Sequence, residues 1–470
     1  MAFIDRYSGL ALSILSSLII ARLLTPAEIG VYSVAMVLLS FATTVRDMGA
    51  GTYMVQEQEL TEARIRAVWT IQLGLGLLLA LIVALISLPV ARFYGEPRMQ
   101  NIMLVIALNY AVNPIGSLTN AYLIREMRFQ NSAVIRFAGN IAGAGISVYL
   151  AWTGFGPISL AWGAVANTIV SAIFAAYFRP KHFPWLPGFS EVRHVLSFGT
   201  RVTASSIINV LYKGASEMAL GKFQGMAATG LYSRASGLVQ MFQRIVGDAV
   251  GAVSLPWFSM QSRDQGGFTD AFLNSTAYMC ALGWSFAAVV LFQAEPLMTL
   301  LYGQQWTGAV ILVRLLAVAL AFSLPSTLCQ PALMARGGAG IIARVTAIAA
   351  TQGVVLAVIG ASLNSVGLGV SAIISGAVAS ILWLRAVSRD LGISWRAWRG
   401  PLACSLGVAA CSSVGPISAA LVFGASPEHS LPPLLLTTVV GAAGFLLGAI
   451  IFKHPIRREI ALVLPLVNRL

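Results

Sequence analysis

Long charge-free runs alternate with short basic loops along the whole chain. No charged residue occurs in 67–91, 137–178, 271–294 or 345–384, and the second and fourth of these are each broken by a glycine-containing turn. Each run, or each half of a broken one, can cross the roughly 30 Å hydrocarbon core as a helix. In hydrocarbon the backbone must satisfy its own hydrogen bonds, so these runs are helices; barrel strands would alternate over about ten residues. The pattern predicts an all-α polytopic membrane protein of about fourteen spans. Spans one to six are 7–24, 29–45, 67–91, 99–123 and the two halves of 137–178. Spans seven and eight flank a polar turn at 222–229. Spans nine to twelve are 271–294, 307–334 and the halves of 345–384, and a final hairpin occupies 401–424 and 434–452.

The order of spans repeats. Residues 21–33 read ARLLTPAEIGVYS and residues 221–233 read GKFQGMAATGLYS, so Arg22 falls on Lys222, Gly30 on Gly230, and Tyr32-Ser33 on Tyr232-Ser233. Pro114 in span four answers Pro325 in span ten, and Arg125 answers Arg336. Six is an even number, so both copies enter from the same side, as two lobes in a parallel pseudo-twofold repeat. The expected divisions are 1–178 for the first lobe, a proline- and aromatic-rich linker at 179–194 and a second lobe at 195–387. A basic tryptophan-bearing linker at 388–400, the hairpin at 401–452 and a tail at 453–470 follow. Asn113-Pro114 should kink span four, because proline removes a backbone donor.

Composition sharpens this picture. The chain is 57% hydrophobic and 10% charged, with mean hydropathy +0.81, where a soluble domain carries roughly 25% charged residues. The net charge of +13 is spread over many loops with no basic domain. That distribution speaks against a nucleic-acid partner and for the positive-inside rule. Placing both termini in the cytoplasm leaves only Arg22, Arg92, Arg98, Lys213, Lys222, Arg234 and Arg314 on the far side. The apolar N-terminal run lacks a small-residue cleavage site and reads as an uncleaved span. Cys280, Cys329, Cys404 and Cys411 sit in apolar runs and imply no disulfide framework. The four histidines lack zinc-ligand spacing, and GASEMALGKF departs from a phosphate-binding loop, so no metal and no cofactor is expected. Glu57, Glu59 and Glu62 read as a solvated face.

The remaining chemistry is intramembrane charge, which costs about 2.5–3.5 kcal/mol at the bilayer centre and therefore needs a wet cavity or a partner. Spans seven and eight carry Arg201, Lys213, Glu217, Arg234, Arg244 and Asp248; span ten adds Arg314; spans one and two end in Arg22, Glu28, Arg46 and Asp47. Lys213–Glu217 and Arg244–Asp248 have helical i,i+4 spacing, and Glu217 and Arg234 stand at similar depth on either side of the turn. Either these ions pair and lock the helices, or they line a cavity. Arg234, Lys213, Arg314 and Arg22 are the candidate contacts for an anionic group. Glu217, Asp47 and Asp248 are the candidate counter-ions, or carboxylates coupling transport to a proton or sodium ion.

These residues carry a resemblance. ARLLTPAEIGVYS, then an acidic residue before GKF…GLYSRA, resembles the polysaccharide transporter (Wzx-type) flippases, in the superfamily of multidrug extruders and the lipid II flippase MurJ. The resemblance implies two six-helix lobes, a central cleft and alternating access in the bacterial cytoplasmic membrane. The implied cargo is an oligosaccharide on a polyprenyl pyrophosphate, handed on to polysaccharide polymerase and chain-length machinery. It places Glu217 where the family carries an aspartate and matches Arg234 to the arginine of the YSRA motif. It also implies an amphipathic lead-in, whereas little precedes span one. A pyrophosphate prefers forked arginine donors, which agrees with a net-basic cleft. A multidrug extruder would require an acidic cavity. A membrane enzyme such as a polymerase would place catalytic residues in sizeable loops, and the inferred periplasmic loops are short, so an enzyme is not expected.

Overall fold

The computed structural model describes residues 2–47, 50–180, 183–184, 186–263, 267–423 and 431–463. Pro427, expected in the turn between the last two spans, lies outside them, as does the side chain of Arg201. Among the described residues there is no strand. The chain divides into two compact units, Met1–Gly230 and Leu231–Leu470.

The first unit holds α1 (Ala2–Leu23), α2 (Pro26–Asp47), α3 (Ala50–Gln56), α4 (Glu62–Tyr94), α5 (Pro97–Arg125), α6 (Phe129–Trp152), α7 (Ile158–Tyr177), α8 (Val192–Phe223) and the first turn of α9 (Met226–Val239). The second holds the rest of α9, a π-helical turn at Gln243–Gly247, α10 (Asp248–Arg263), α11 (Phe268–Phe292), α12 (Ala294–Tyr302) and α13 (Val310–Ser323). It continues through α14 (Cys329–Ala335), α15 (Ala339–Leu363), α16 (Ser365–Leu391), α17 (Trp395–Phe423), α18 (Leu431–Ile451) and α19 (Ile456–Val463).

Among the described residues, eleven helices are long and apolar enough to cross a membrane: α2, α4 to α7, α11, the segment Gln304–Ala335, and α15 to α18. Expected spans one, seven and eight, which are α1, α8 and the α9–α10 segment, are not among these eleven. Leu77, Leu81 and Leu85 on α4, Leu363 on α15 and Leu421 on α17 are exposed. In water such surface would mark an interface or a liability; on a bundle of apolar spans it is the lipid-facing skin.

Local chemistry sets the ends of the helices in the first unit. Thr61 caps α4 through a 3.3 Å bond from the Arg64 amide, and Gly95 closes it in the left-handed region with φ 66°. Pro97 opens α5, where Glu96 accepts from the Arg98 amide at 3.2 Å. The Arg98 guanidinium hydrogen-bonded to Glu96 holds that carboxyl below the usual range, so it stays charged at the positive end of the helix dipole. At the opposite end, Arg125 donates to the carbonyls of Met54, Glu57 and Gln58, a cation on the last carbonyls of α3. The linker is strapped beside it. Arg179 lies 5.3 Å from the Trp69 ring and 5.6 Å from Phe183, and the Gly188 amide donates to Thr70 at 2.8 Å.

Pro114 stands inside a continuous α5, with no break in the helix. The carbonyl it leaves without a helical donor is that of Tyr110. Gly76 of α4 sits against this oxygen, so close that a Cβ there would lie 2.4 Å away. At Pro325 the helix does break, into a 3-10 turn at Leu324–Ser326.

The two copies of the repeated motif meet. A Cβ on Gly30 would lie 1.8 Å from the Met226 carbonyl oxygen, and a Cβ on Gly230 would lie 1.8 Å from that of Pro26. The contact is reciprocal, as a local twofold requires. The same face continues along α8, where Gly214 and Gly221 admit the side chains of Val37 and Val34. Because α8 packs on α2 and α4, the break between units falls after Gly230, not at the 179–194 linker where the repeat was expected to divide.

In the second unit, Phe258, Phe272, Cys280, Cys329 and Trp398 belong to one buried apolar cluster, and the four cysteines are free thiols. The closing hairpin, α17 on α18, packs backbone to backbone: a Cβ on Gly444 would lie 2.2 Å from the Cys411 carbonyl oxygen, the small-residue contact that apolar spans need. His454, 1% exposed, pins the following turn. Its Nδ1 accepts from the Ile456 amide at 3.1 Å, which leaves Nε2 to donate to Ser405 Oγ at 3.0 Å.

Burial holds the His454 pKa below its ordinary value, so the neutral ring belongs to the docked form and the undocked form binds the proton more readily. Docking of α19 is therefore strongest above the ordinary histidine value of about 6.5 and is lost as pH falls below it. A spin label at the exposed position 459 should gain mobility between about pH 7.5 and pH 5. Unchanged mobility over that range would show that His454 does not control the turn.

Candidate functional site: a polar cavity among apolar spans

Within the first unit, six helices enclose a cavity of about 730 Å³. Polar residues reach it because they recur on one helix face: Asn113, Ser117 and Asn120 on α5, and Asn167, Thr168 and Ser171 on α7. Gln72 comes from α4, Arg136 from α6, and Arg46 with Asp47 from the end of α2. Expected spans four and six are uncharged here, so an inventory of charges passes over them. The stripe NPIGSLTN, with polar side chains three to four residues apart, was the signal that could have marked the cavity.

Hydrogen bonds inside the wall fix how these groups point. Ser117 Oγ donates to Gln72 Oε1 at 2.8 Å. Ser132 Oγ donates to Asn120 Oδ1 at 2.6 Å and receives Arg136 Nη1 at 3.1 Å. Asn167 donates to Asn140 Oδ1 at 3.0 Å. Arg46 is buried, binds Asp47 Oδ1 at 2.9 and 2.7 Å, and lies 5.7 Å from the Tyr110 ring. Two guanidinium groups and one carboxylate line the space, which makes it net positive.

The residues singled out from the sequence are divided between the two units. Asp47 faces the cavity and serves Arg46. Arg22 is exposed on the last turn of α1, Lys213 is exposed on α8, and Glu217 on the same helix is half-buried. Lys213 makes no ion pair among the described residues, so the expected Lys213–Glu217 pair is not formed. Lys222 donates instead to the Phe93 carbonyl at 2.8 Å and sits 3.9 Å from that ring, a cation at the C-terminal end of α4.

In the second unit the Arg234 guanidinium lies 5.8 Å from each of the Tyr302 and Trp306 rings. Tyr302 and Trp306 are buried, and neither was singled out beforehand; their i,i+4 spacing was the available sign. Arg314 is exposed on α13. The expected Arg244–Asp248 pair is replaced by Gln243 Nε2 on Asp248 Oδ1 at 3.5 Å. The π turn is the reason, since it stacks residues five apart in place of four.

An apolar-skinned helical bundle with a polar interior belongs to a known class of membrane protein. The structure matches "Lipid II flippase MurJ, inward closed conformation" with a TM-score of 0.79 at 12% identity, covering 97% of this chain and 99% of that one. It matches an inward-facing multidrug resistance MATE family transporter with a TM-score of 0.66 at 16% identity, covering 83% and 99%. The fold is therefore that of the MurJ and MATE proteins.

The family profile described as "Polysaccharide biosynthesis protein" matches residues 19–311, and the chain belongs to that family. It is 25% identical over 449 residues to the succinoglycan biosynthesis transport protein ExoT of Rhizobium meliloti, covering 92% of this chain and 87% of that protein. It is 22% identical over 315 residues to the lipopolysaccharide biosynthesis protein WzxC of Escherichia coli, covering 66% and 63%.

The Arg46–Asp47 contact separates a counter-ion from an ion-coupling carboxylate. As a counter-ion, Asp47→Asn should destabilise the purified protein by about 1–2 kcal/mol, because a buried guanidinium loses a half-exposed partner. The double variant with Arg46→Gln should recover most of that loss in thermal unfolding. An unchanged midpoint for Asp47→Asn would return Asp47 to the coupling role.

Proposed function

We propose that this protein moves a polyprenyl-pyrophosphate-linked oligosaccharide, the repeat unit of a surface polysaccharide, across the bacterial cytoplasmic membrane by alternating access. The observation that carries the reading is the net-positive polar cavity within a bundle of apolar spans. A cargo with sugar hydroxyls and a pyrophosphate needs such an interior, because unpaired polar groups in hydrocarbon cost several kcal/mol each. The second unit supports it with a groove of about 650 Å³, lined by Trp284, Phe292, Phe322, Leu406 and other almost wholly apolar neighbours, which suits an isoprenoid chain. Family membership and the printed roles of ExoT and WzxC point the same way.

In this reading Arg234, Lys213, Arg314 and Arg22 attend the pyrophosphate in turn as the cargo passes. Glu217 and Asp248 are the carboxylates that would couple a proton or sodium ion, and Asp47 serves as the counter-ion of Arg46. The termini are cytoplasmic, no chemistry is performed on the cargo, and polymerase and chain-length machinery receive it on the far side. A cation extruder is disfavoured by the sign of the cavity.

Deletion of the gene should abolish a surface polysaccharide and leave lipid-linked repeat units facing the cytoplasm. Normal polysaccharide with new sensitivity to cationic dyes would establish the extruder instead. Arg234→Ala should give a folded, membrane-inserted protein with export reduced by about tenfold or more, and Arg234→Lys should recover part of it, since an ammonium lacks the forked donor geometry. Loss of yield in the alanine variant, with full recovery by lysine, would make Arg234 a structural cation held by Tyr302 and Trp306.

A further inference from the structure

Around Gln72 and Asn120 the cavity of the first unit turns donors to the space, and this narrows what that part of it can hold. An amide side chain offers one acceptor and two donors. In both Gln72 and Asn120 the wall uses the acceptor: Gln72 Oε1 receives Ser117 Oγ at 2.8 Å and Asn120 Oδ1 receives Ser132 Oγ at 2.6 Å. Each –NH2 group is what remains for the space, and neither has a protein partner among the described residues. Arg136 lines the same space, and its bond to Ser132 places it beside Asn120. The carboxylate that also lines it, Asp47, is engaged by Arg46. A metal or sodium ion needs converging oxygen acceptors, and at Gln72 and Asn120 the amide oxygens are turned into the wall.

We infer that this cavity is an oxyanion subsite, with Gln72 Nε2, Asn120 Nδ2 and Arg136 as its donors, taking a carboxylate or phosphate group of the transported molecule. Such groups are acceptor-only when ionised, and their bonds to N–H donors are charge-assisted. The inference deepens the transport reading and rests on it for the origin of the ligand. Two origins fit: an acidic substituent on the glycan, or the pyrophosphate of the carrier lipid.

Asn120→Asp and Gln72→Glu test it. Each keeps the oxygen that accepts from serine and turns the group facing the cavity from donor to charged acceptor, with little change in shape. The full-length protein in nanodiscs is titrated calorimetrically with glucuronate, glucose and inorganic pyrophosphate. Glucuronate bound about tenfold tighter than glucose, with the preference lost in both variants, supports the subsite and assigns it to the glycan. Loss confined to pyrophosphate supports the subsite and assigns it to the carrier lipid. Glucose bound as tightly as either anion, no saturable binding of either anion, or an anion preference surviving both variants overturns it. If Asn120→Asp lowers yield, Gln72→Glu carries the comparison. Because the titration measures no transport, the subsite can fail while deletion still abolishes export, and the transport reading then stands.

Discussion

The fold turns on one place where two helices touch without side chains. At Gly30 and Gly230 the first turns of α2 and α9 run so close that a single Cβ on either would meet the other backbone at 1.8 Å. Between apolar spans there is no hydrophobic drive to associate, since lipid is as apolar as leucine, and close backbone contact is what remains. The glycines recur at equivalent places in the two copies of one motif, so the contact is satisfied from both sides at once. Around it α8 seats Gly214 and Gly221 on α2, and Lys222 closes the exposed end of α4. The charged helix α8 is thus held by small residues and a helix-end contact.

Much of this was legible in the chain. Charge-free runs of span length located the helices, because lipid permits the backbone little else. The echo of residues 21–33 in 221–233 announced the contact at Gly30 and Gly230 without saying that the copies would touch. Other features were less accessible. The i,i+4 rule placed Arg244 on Asp248, and a π turn that no sequence pattern announced moved the partner to Gln243. The same rule placed Lys213 beside Glu217, and the exposed lysine makes no ion pair among the described residues. At Pro114, where a kink was expected in span four, the helix stays continuous and Gly76 packs against the carbonyl that the proline frees.

The cavity shows why charge is an incomplete guide in a membrane. Arg46 and Asp47 stood out because ions in lipid are costly, yet they occupy one another. The groups left to face the space are neutral amides on helices that looked featureless. Their significance lies in direction: with serine hydroxyls on the amide oxygens of Gln72 and Asn120, those two side chains turn donors to the space. Tyr302 and Trp306 each set a ring 5.8 Å from the Arg234 guanidinium, within cation–π reach.

The central claim is that an acidic lipid-linked oligosaccharide crosses the bilayer through this protein. The direct measurement uses proteoliposomes loaded with a fluorescent lipid-linked oligosaccharide, followed by addition of a membrane-impermeant quencher. Transport predicts protein-dependent quenching beyond the fraction initially in the outer leaflet, slowed by excess unlabelled substrate. Quenching confined to that outer fraction, in vesicles where the same protein moves a cationic dye, would contradict the account.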